Sequence, residues 1–474
     1  MTAAAFFDLD RTLLSGASAH VVSKVLRETG VVNRDIPGES LLYQVFEMFG
    51  ENLPSMVLGR QAVHAMRGHS REDVRAAAEK AAPELVSMVQ PYARQVIDSH
   101  RDAGRKVVLA TTTPSDLIAA FARLMEFDDV VATTYGVDAD GRYTGEIEGP
   151  YVWSRGKRDA VAAWCDANGV DMSKSFAYSD SVYDEPLLAR VGHPHCVNPD
   201  WRLRLMAAVR RWPVMNLDVP PGVAKIPVVN LEAQEALMRL TRPEVFPYAR
   251  FDIEGTENIP LDGPVILCGN HRSYFDVAAV FLTVARVGRP VRFLGKKEVF
   301  DAPVIGQLAA ALGGIRVDRG TGSDEPMRAA ADALEAGDMV AIMPQGTIPR
   351  GRAFFEPELK GRWGAARLAA QTGARIVPVG IWGTEKVWPR NAKLPNITNV
   401  TSPPTVRVRV GAPFAVEGAD ADADTRLIMS AIVDLLPPEA RTYREPTPEE
   451  LKRSLPSSYR GDLDAESDRR PGSD

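Results

Sequence analysis

Ala3-Ala4-Ala5-Phe6-Phe7 runs straight into Asp8-Leu9-Asp10-Arg11-Thr12. An unbroken apolar run of this length, without alternation, predicts a strand covered on both faces, as in a parallel sheet. Carboxylates two residues apart at the end of such a strand project to the same side and face one pocket. Similar short apolar runs recur at Val107-Val108-Leu109-Ala110, Ser175-Phe176-Ala177-Tyr178 and Cys196-Val197. Each is followed by a polar loop and a helix-like stretch, so the first half reads as an α/β module. The interval from about Ser15 to Pro91 reads mainly as helices. Within it, Glu72 to Ala82 is rich in Ala, Glu, Arg and Lys, which predicts a helical insertion above the sheet.

Three further pieces bear on the same pocket. Asp180-Ser181-Val182-Tyr183-Asp184 follows a strand, and acids converging with Asp8 and Asp10 would repel one another unless a cation sat among them. An all-oxygen set of this kind suits Mg²⁺. Thr111-Thr112-Thr113 offers hydroxyls and backbone N–H groups for phosphate, and Lys157 offers a positive charge for phosphoryl oxygens.

In order and spacing these pieces resemble the motifs of the haloacid-dehalogenase (HAD) phosphatases, especially the phosphoserine-phosphatase-like branch, over residues 1–217. The resemblance implies a Rossmann-like core with a helical cap at about 15–91. It implies that Asp8 attacks phosphorus, that Asp10 is general acid and then base, and that Thr111 and Lys157 steady the transferring group. Asp8, Asp10, Asp180 and Asp184 would hold Mg²⁺. Ser179 stands where the family usually has Gly.

Prolines cluster in Asp218-Val219-Pro220-Pro221 and Thr241-Arg242-Pro243, so 218–245 reads as a linker. A second strand series then begins at Pro264-Val265-Ile266-Leu267 and continues through Val291 to Leu294, Met339 to Ile342, Arg375 to Val379 and Thr405 to Val410. After the first of these comes Asn270-His271-Arg272-Ser273-Tyr274-Phe275-Asp276. A carboxylate five residues beyond a His, at a strand-to-helix junction, can reach one ring nitrogen, fix the tautomer and make the other nitrogen a better base. Such a dyad deprotonates an alcohol that attacks a thioester directly. Ser273 is poorly placed as a nucleophile, and the chain holds no G-x-S-x-G elbow.

This stretch resembles the NHxxxxD motif of the glycerophospholipid acyltransferases, in particular the 1-acylglycerol-3-phosphate branch. The likeness runs from about 246 to 415, through Gly314 to Arg319, Pro344-Gln345-Gly346-Thr347 and Val377-Pro378-Val379. It implies an α/β acyltransferase domain (246–437) with His271 as base and Asp276 as its orienter. Arg319, Gln345, Gly346 and Thr347 would seat the acceptor. The implied donor is acyl-CoA or acyl-ACP, the acceptor lysophosphatidic acid, and the product phosphatidic acid. The family usually writes Pro-Glu-Gly-Thr, and here Gln345 replaces the acid. The alternative is another lysophospholipid or glycerolipid acceptor, with the first module an idle scaffold that positions the second on a membrane.

A net charge of -6 argues against a dedicated nucleic-acid binder, and 45% hydrophobic with 25% charged residues is ordinary globular composition. Cys165, Cys196 and Cys268 lie far apart, which fits a reducing cytoplasm. The N-terminus has acids inside its apolar stretch and does not read as a secretory signal, and no apolar run is long enough for a bilayer span. Any membrane contact is therefore expected to be peripheral, on the inner face. Trp201 to Trp212, basic with two tryptophans, reads first as the last helix of the first module and otherwise as a bilayer-facing segment. Arg289, Arg292, Lys296 and Lys297 are candidates for lipid contact at the second module's mouth. From 438 onward the chain is Pro-, Ser- and charge-rich and reads as a disordered tail.

Overall fold

A computed structural model describes residues 2–32, 63–226, 231–301, 305–317, 325–457 and 459–460. The chain divides into two units, Met1–Pro221 and Gly222–Asp474.

The first unit is built on strands β1 (Ala4–Phe7), β2 (Lys106–Pro114), β3 (Asp129–Val137), β4 (Tyr143–Glu148), β5 (Phe176–Ser179), β6 (His193–Val197) and β7 (Val214–Met215). They form one sheet in the order β4-β3-β2-β1-β5-β6-β7, parallel except for the β3/β4 pair. The central strand β1 is buried along its whole length. Its side chains alternate between two cores, Ala5 and Phe7 in one, Ala4 and Phe6 in the other. That two-sided burial is why the run is continuous rather than alternating. The carboxyl ends of β1, β2 and β5 are neighbours, so the loops after Phe7 and Ser179 and the Thr111–Pro114 end of β2 share one crevice.

Helices Ser18–Glu28 and Arg71–Ser87 belong to the expected insertion; its residues 33–62 lie outside the described part. Asp116, at the start of helix Ser115–Leu124, ties the insertion to the core. It accepts from Arg71 Nε at 2.8 Å, Arg75 Nε at 2.6 Å and the Tyr143 hydroxyl at 3.0 Å. Burial alone would raise this carboxyl, but the three donors hold it below the ordinary carboxylate value. Asp116→Ala strands these donors and is expected to cost about 2 kcal/mol of stability. In the wild type the contribution is complete above the usual carboxylate range and disappears as pH falls below about 4. Denaturant titration at neutral pH and in acid checks both; equal midpoints for the two proteins at neutral pH would rule the tie out.

The second unit contains β8 (Arg250–Glu254), β9 (Val265–Gly269), β10 (Val291–Lys296), β11 (Ile315–Val317), β12 (Met339–Ile342), β13 (Arg375–Trp382) and β14 (Thr405–Val410), in the order β8-β14-β13-β9-β12-β10-β11. Only β13/β14 is antiparallel. Strand β9 is buried throughout, with Val265 and Leu267 facing one core, Ile266 and Cys268 the other.

From Gly222 onward the expected linker is part of this unit. Lys225–Ile226 pairs with Leu231–Glu232, and helix Ala233–Leu240 follows. The buried Gln234 amide accepts from Val291 N at 2.8 Å and donates to Val291 O and Leu312 O at 2.9 Å, pairing with the backbone of β10 as a strand would. Arg292, expected to face lipid, is buried and gripped by Glu232 and Asp338. Arg289 donates to the carbonyls of Pro260, Asp262, Gly263 and Gly337. Both arginines therefore hold the fold together. The Lys296 side chain lies outside the described part.

The tail also departs from its expected disorder. Helix Pro448–Arg453 opens with a capping box between Thr447 and Glu450 and buries Leu451. Ser454 Oγ then accepts from Gly351 N at 3.1 Å. The Thr-Pro-Glu-Glu text is a helix-start signal, outweighed in the sequence by its charged surroundings. Residues 461–474 lie outside the described part. Helix Trp201–Arg210 is capped by Asp200 and buries Leu203 and Ala207, as expected for the unit's last helix. All three cysteines are free and buried, and among the described residues no helix is long and apolar enough to cross a membrane.

Candidate functional site

In the first unit the chain leaves β1 still paired, with Asp8 N donating to Tyr178 O at 3.0 Å. It then coils through Leu9–Leu13, where Arg11 takes a left-handed conformation. This turn lets Thr12 lie between two acids, with its hydroxyl 3.3 Å from Asp8 Oδ2 and 3.2 Å from Asp180 Oδ1. Asp180 N donates back to Thr12 Oγ1 at 2.9 Å. Lys157, fully buried on helix Arg155–Asn168, places Nζ 2.8 Å from Asp8 Oδ1 and 2.7 Å from Asp184 Oδ2. Burial pushes the Asp8 carboxyl up to about 6, against the pull of Lys157 and with help from Asp184.

Asp10 points elsewhere in the crevice. Its Oδ1 accepts from Ser18 N at 2.5 Å, and Thr113 Oγ1 lies 3.5 Å from Oδ2. Burial raises its carboxyl, opposed by the Ser18 bonds. Thr111 is buried at the end of β2, where its hydroxyl accepts from Thr113 N at 3.1 Å. Ser179 donates to Asp184 Oδ2 at 2.8 Å and accepts from Ser181 N at 3.1 Å. A glycine there would leave that carboxylate oxygen to Lys157 alone.

Of the four acids expected to hold Mg²⁺, Asp10 and Asp184 have protein partners of their own. Asp10 is turned to Ser18 and Thr113, Asp184 Oδ2 is held by Lys157 and Ser179, and no three acid, His or Cys side chains among the described residues form a metal-binding group. Asp8 Oδ2 and Asp180 Oδ1 remain on the shared Thr12 side. Asp184 Oδ1 is buried with no hydrogen-bond partner, an acceptor suited to the water shell of a cation. Mg²⁺ commonly binds through one or two carboxylates and keeps several waters, so this oxygen set fits it.

In the second unit Asn270 closes β9 by bonding across to β13, its amide exchanging bonds with Ile381 O at 2.8 Å and Ile381 N at 2.7 Å. The next residue, His271, is directed out of the sheet. Its backbone N donates to Gln345 Oε1 at 2.7 Å, and Nδ1 lies 2.8 Å from Asp276 Oδ2. Asp276, the first residue of helix Asp276–Val287, is fully buried, whereas the His271 side chain is 19% exposed. Oδ2 of Asp276 also accepts from Arg272 N at 2.7 Å and Ser273 N at 2.9 Å; Oδ1 accepts from Thr384 Oγ1 at 2.5 Å. Three N–H groups and a helix N-terminus surround one carboxylate. An acceptor at Nδ1 keeps the ring proton on that nitrogen, and among the described residues nothing bonds Nε2.

The buried Ser273 donates to Trp388 O at 2.7 Å and accepts from Phe275 N at 3.1 Å, which commits it to the loop structure. The Arg272 guanidinium lies 4.2 Å and 4.0 Å from the ring centres of Phe354 and Trp382. These residues line a cavity of about 440 Å³ with Glu385, Arg390 and Arg444. Gly346 has φ +71, and a Cβ there would sit 2.9 Å from Arg362 Nε, so the turn after Gln345 requires glycine. Thr347 is half-buried beside it. Asp318 and Arg319 lie outside the described residues. Thr12 and Thr113 stand inside the quoted motifs Asp8-Leu9-Asp10-Arg11-Thr12 and Thr111-Thr112-Thr113, whereas Ser18 and Thr384 had no signal in the sequence.

The profile of the haloacid dehalogenase-like hydrolases matches residues 5–189, and that of the acyltransferases matches residues 250–382. The chain is 34% identical over 239 residues to the inhibition of morphological differentiation protein of Streptomyces azureus, covering 50% of this chain and 86% of that one. It is 33% identical over 232 residues to the phosphoserine phosphatase SerB1 of Mycobacterium tuberculosis, covering 48% and 75%. It is 28% identical over 182 residues to the chloroplastic 1-acyl-sn-glycerol-3-phosphate acyltransferase LPAT1 of Arabidopsis thaliana, covering 38% and 47%.

Proposed function

The chain belongs to the haloacid dehalogenase-like hydrolases through its first unit and carries an acyltransferase domain in its second, and from that premise we propose that it acylates the sn-2 hydroxyl of 1-acylglycerol-3-phosphate and separately hydrolyses a phosphomonoester. The observation that carries the first activity is the 2.8 Å contact between a partly exposed His271 and a fully buried Asp276. Nε2 takes the proton of the acceptor hydroxyl as that oxygen attacks the thioester carbonyl of acyl-CoA or acyl-ACP. The tetrahedral centre then expels the thiolate, which leaves as the free thiol with the proton from His271. Asp276 keeps Nδ1 protonated throughout and balances the imidazolium. Gln345 holds the backbone of His271 through a neutral carbonyl, a task that needs no charge. Gly346, Thr347 and Arg319 are proposed to seat the acceptor.

In the first unit Asp8 attacks phosphorus to form an aspartyl-phosphate, and Asp10 gives its proton to the leaving alcohol before taking one from the incoming water. A carboxyl raised by burial suits that role. Lys157 and Thr111 face the phosphoryl oxygens, and Asp8 and Asp180 would hold Mg²⁺, which would supply charge neutralisation there. The protein is proposed to work peripherally at the inner face of the cell membrane.

The full chain, given radiolabelled acyl-CoA or acyl-ACP with lysophosphatidic acid, is expected to form phosphatidic acid. Lysophosphatidylcholine serves as the competing acceptor. Absence of any acylated lipid with either acceptor and either donor would overturn the reading. Phosphate release from phosphoserine and other phosphomonoesters, with and without Mg²⁺, tests the first unit in the same preparation.

A further inference from the structure

The loop between β13 and β14 is an apolar, basic surface rooted in the His271–Asp276 framework. It begins beyond Thr384, whose hydroxyl bonds Asp276, and passes Trp388, whose carbonyl accepts from Ser273. Arg390 then donates to the carbonyls of Ile348 and Pro349, just beyond the Gln345 turn. The loop is folded on itself: Trp388 Nε1 donates to Ala392 O at 3.1 Å, and Asn396 N to Val387 O at 3.0 Å. With its root held in this way, it presents Leu394, Ile397 and Val400 to solvent at 74%, 58% and 53% exposure. Tyr274, also exposed, packs edge-on against Trp388 at 5.6 Å and extends the patch back to the residues beside His271.

Large exposed apolar side chains gathered on one loop mark an interaction surface. The charge around them indicates the partner. No acid occurs from Lys386 to Val416, whereas Lys386, Arg390 and Lys393 do, in a chain whose net charge is -6. Exposed apolar side chains on a loop that carries cations and no acid match the interface of an anionic bilayer, where the headgroups attract the cations and the acyl boundary takes up the apolar groups. We propose that residues 389–404, with Tyr274 at their base, dock on an anionic membrane so that a lysolipid acceptor reaches His271 from the bilayer. This rests on the acyltransferase reading, and it adds where the acceptor comes from.

The test is co-sedimentation of the full chain with vesicles of phosphatidylcholine containing phosphatidylglycerol, and with phosphatidylcholine alone. Wild type is expected to bind the anionic vesicles and to release them at high salt. Leu394→Asp combined with Ile397→Asp should weaken that binding at least about tenfold. The same variant should lose acylation of long-chain lysophosphatidic acid held in vesicles, yet keep wild-type turnover of a short-chain, water-soluble acceptor. That turnover also reports that the variant is folded. Trp201→Asp with Leu205→Asp, on the exposed side of helix Trp201–Arg210, is expected to bind as wild type. Unchanged vesicle binding by the loop variant, or loss in the helix variant instead, overturns the proposal. So does a loop variant impaired only with an acidic carrier protein as donor, which would assign the surface to a protein partner. Failure of every protein, wild type included, to acylate the soluble acceptor would overturn the acyltransferase reading instead, while the binding comparison would still stand.

Discussion

His271→Ala lowers acyl transfer by about three orders of magnitude, the loss typical when a positioned general base is removed. The side chain reaches the surface and its ring bonds only Asp276 among the described residues, so the fold and the phosphatase activity are expected to survive. Asp276 separates charge from position. In Asp276→Asn the amide oxygen can still accept from the His271 ring and the backbone of Arg272 and Ser273, while its NH₂ meets Thr384 Oγ1 as a donor instead of an acceptor. That variant loses only the negative charge that balances the imidazolium, and a drop of about a hundredfold is expected. Asp276→Ala instead strands buried donors and should also destabilise the second unit, by about 3 kcal/mol. Initial rates with labelled acyl-CoA, paired with melting curves, distinguish the three. A His271→Ala protein retaining a tenth of wild-type rate would sink the general-base role.

Asp8→Asn is expected to lower phosphate release by about three orders of magnitude or more, because a neutral amide does not form the acyl phosphate that the carboxylate does. The fold should tolerate it well. Lys157 Nζ can still donate to the amide oxygen in place of Asp8 Oδ1, and its contact with Asp184 is untouched. Burial already works against the Asp8 anion, raising its carboxyl to about 6. Above that pH the wild type bears the cost of an ionised buried group that the amide avoids, so the variant should melt no lower than wild type near neutrality. Below about pH 6 the two stabilities should converge as Asp8 takes up its proton. Phosphate release equal to wild type would remove Asp8 from the chemistry, and a lower melting temperature at pH 7 would contradict the burial argument.

Both predictions concern residues visible in short stretches of text, and there is a physical reason for that. A strand end fixes the side of the sheet on which the next residues project, and five residues suffice for a carboxylate at a helix start to reach an imidazole just before it. The two strand series, their closing motifs and the His271–Asp276 pair were therefore determined by local sequence alone. Tertiary structure decided which groups each acid meets. Lys157 stands between Asp8 and Asp184 because β5 adjoins β1. Asp10 is drawn aside by Ser18 and Thr113. Thr384 reaches Asp276 across 108 residues, and Gln234 and Glu232 convert an expected linker into a partner for β10. Such contacts depend on the order of strands in a sheet, which the pattern of any one segment does not encode. Charged or proline-rich composition likewise conceals a buried role, as in Arg292 and helix Pro448–Arg453, because a polar side chain can be buried wherever distant partners satisfy it.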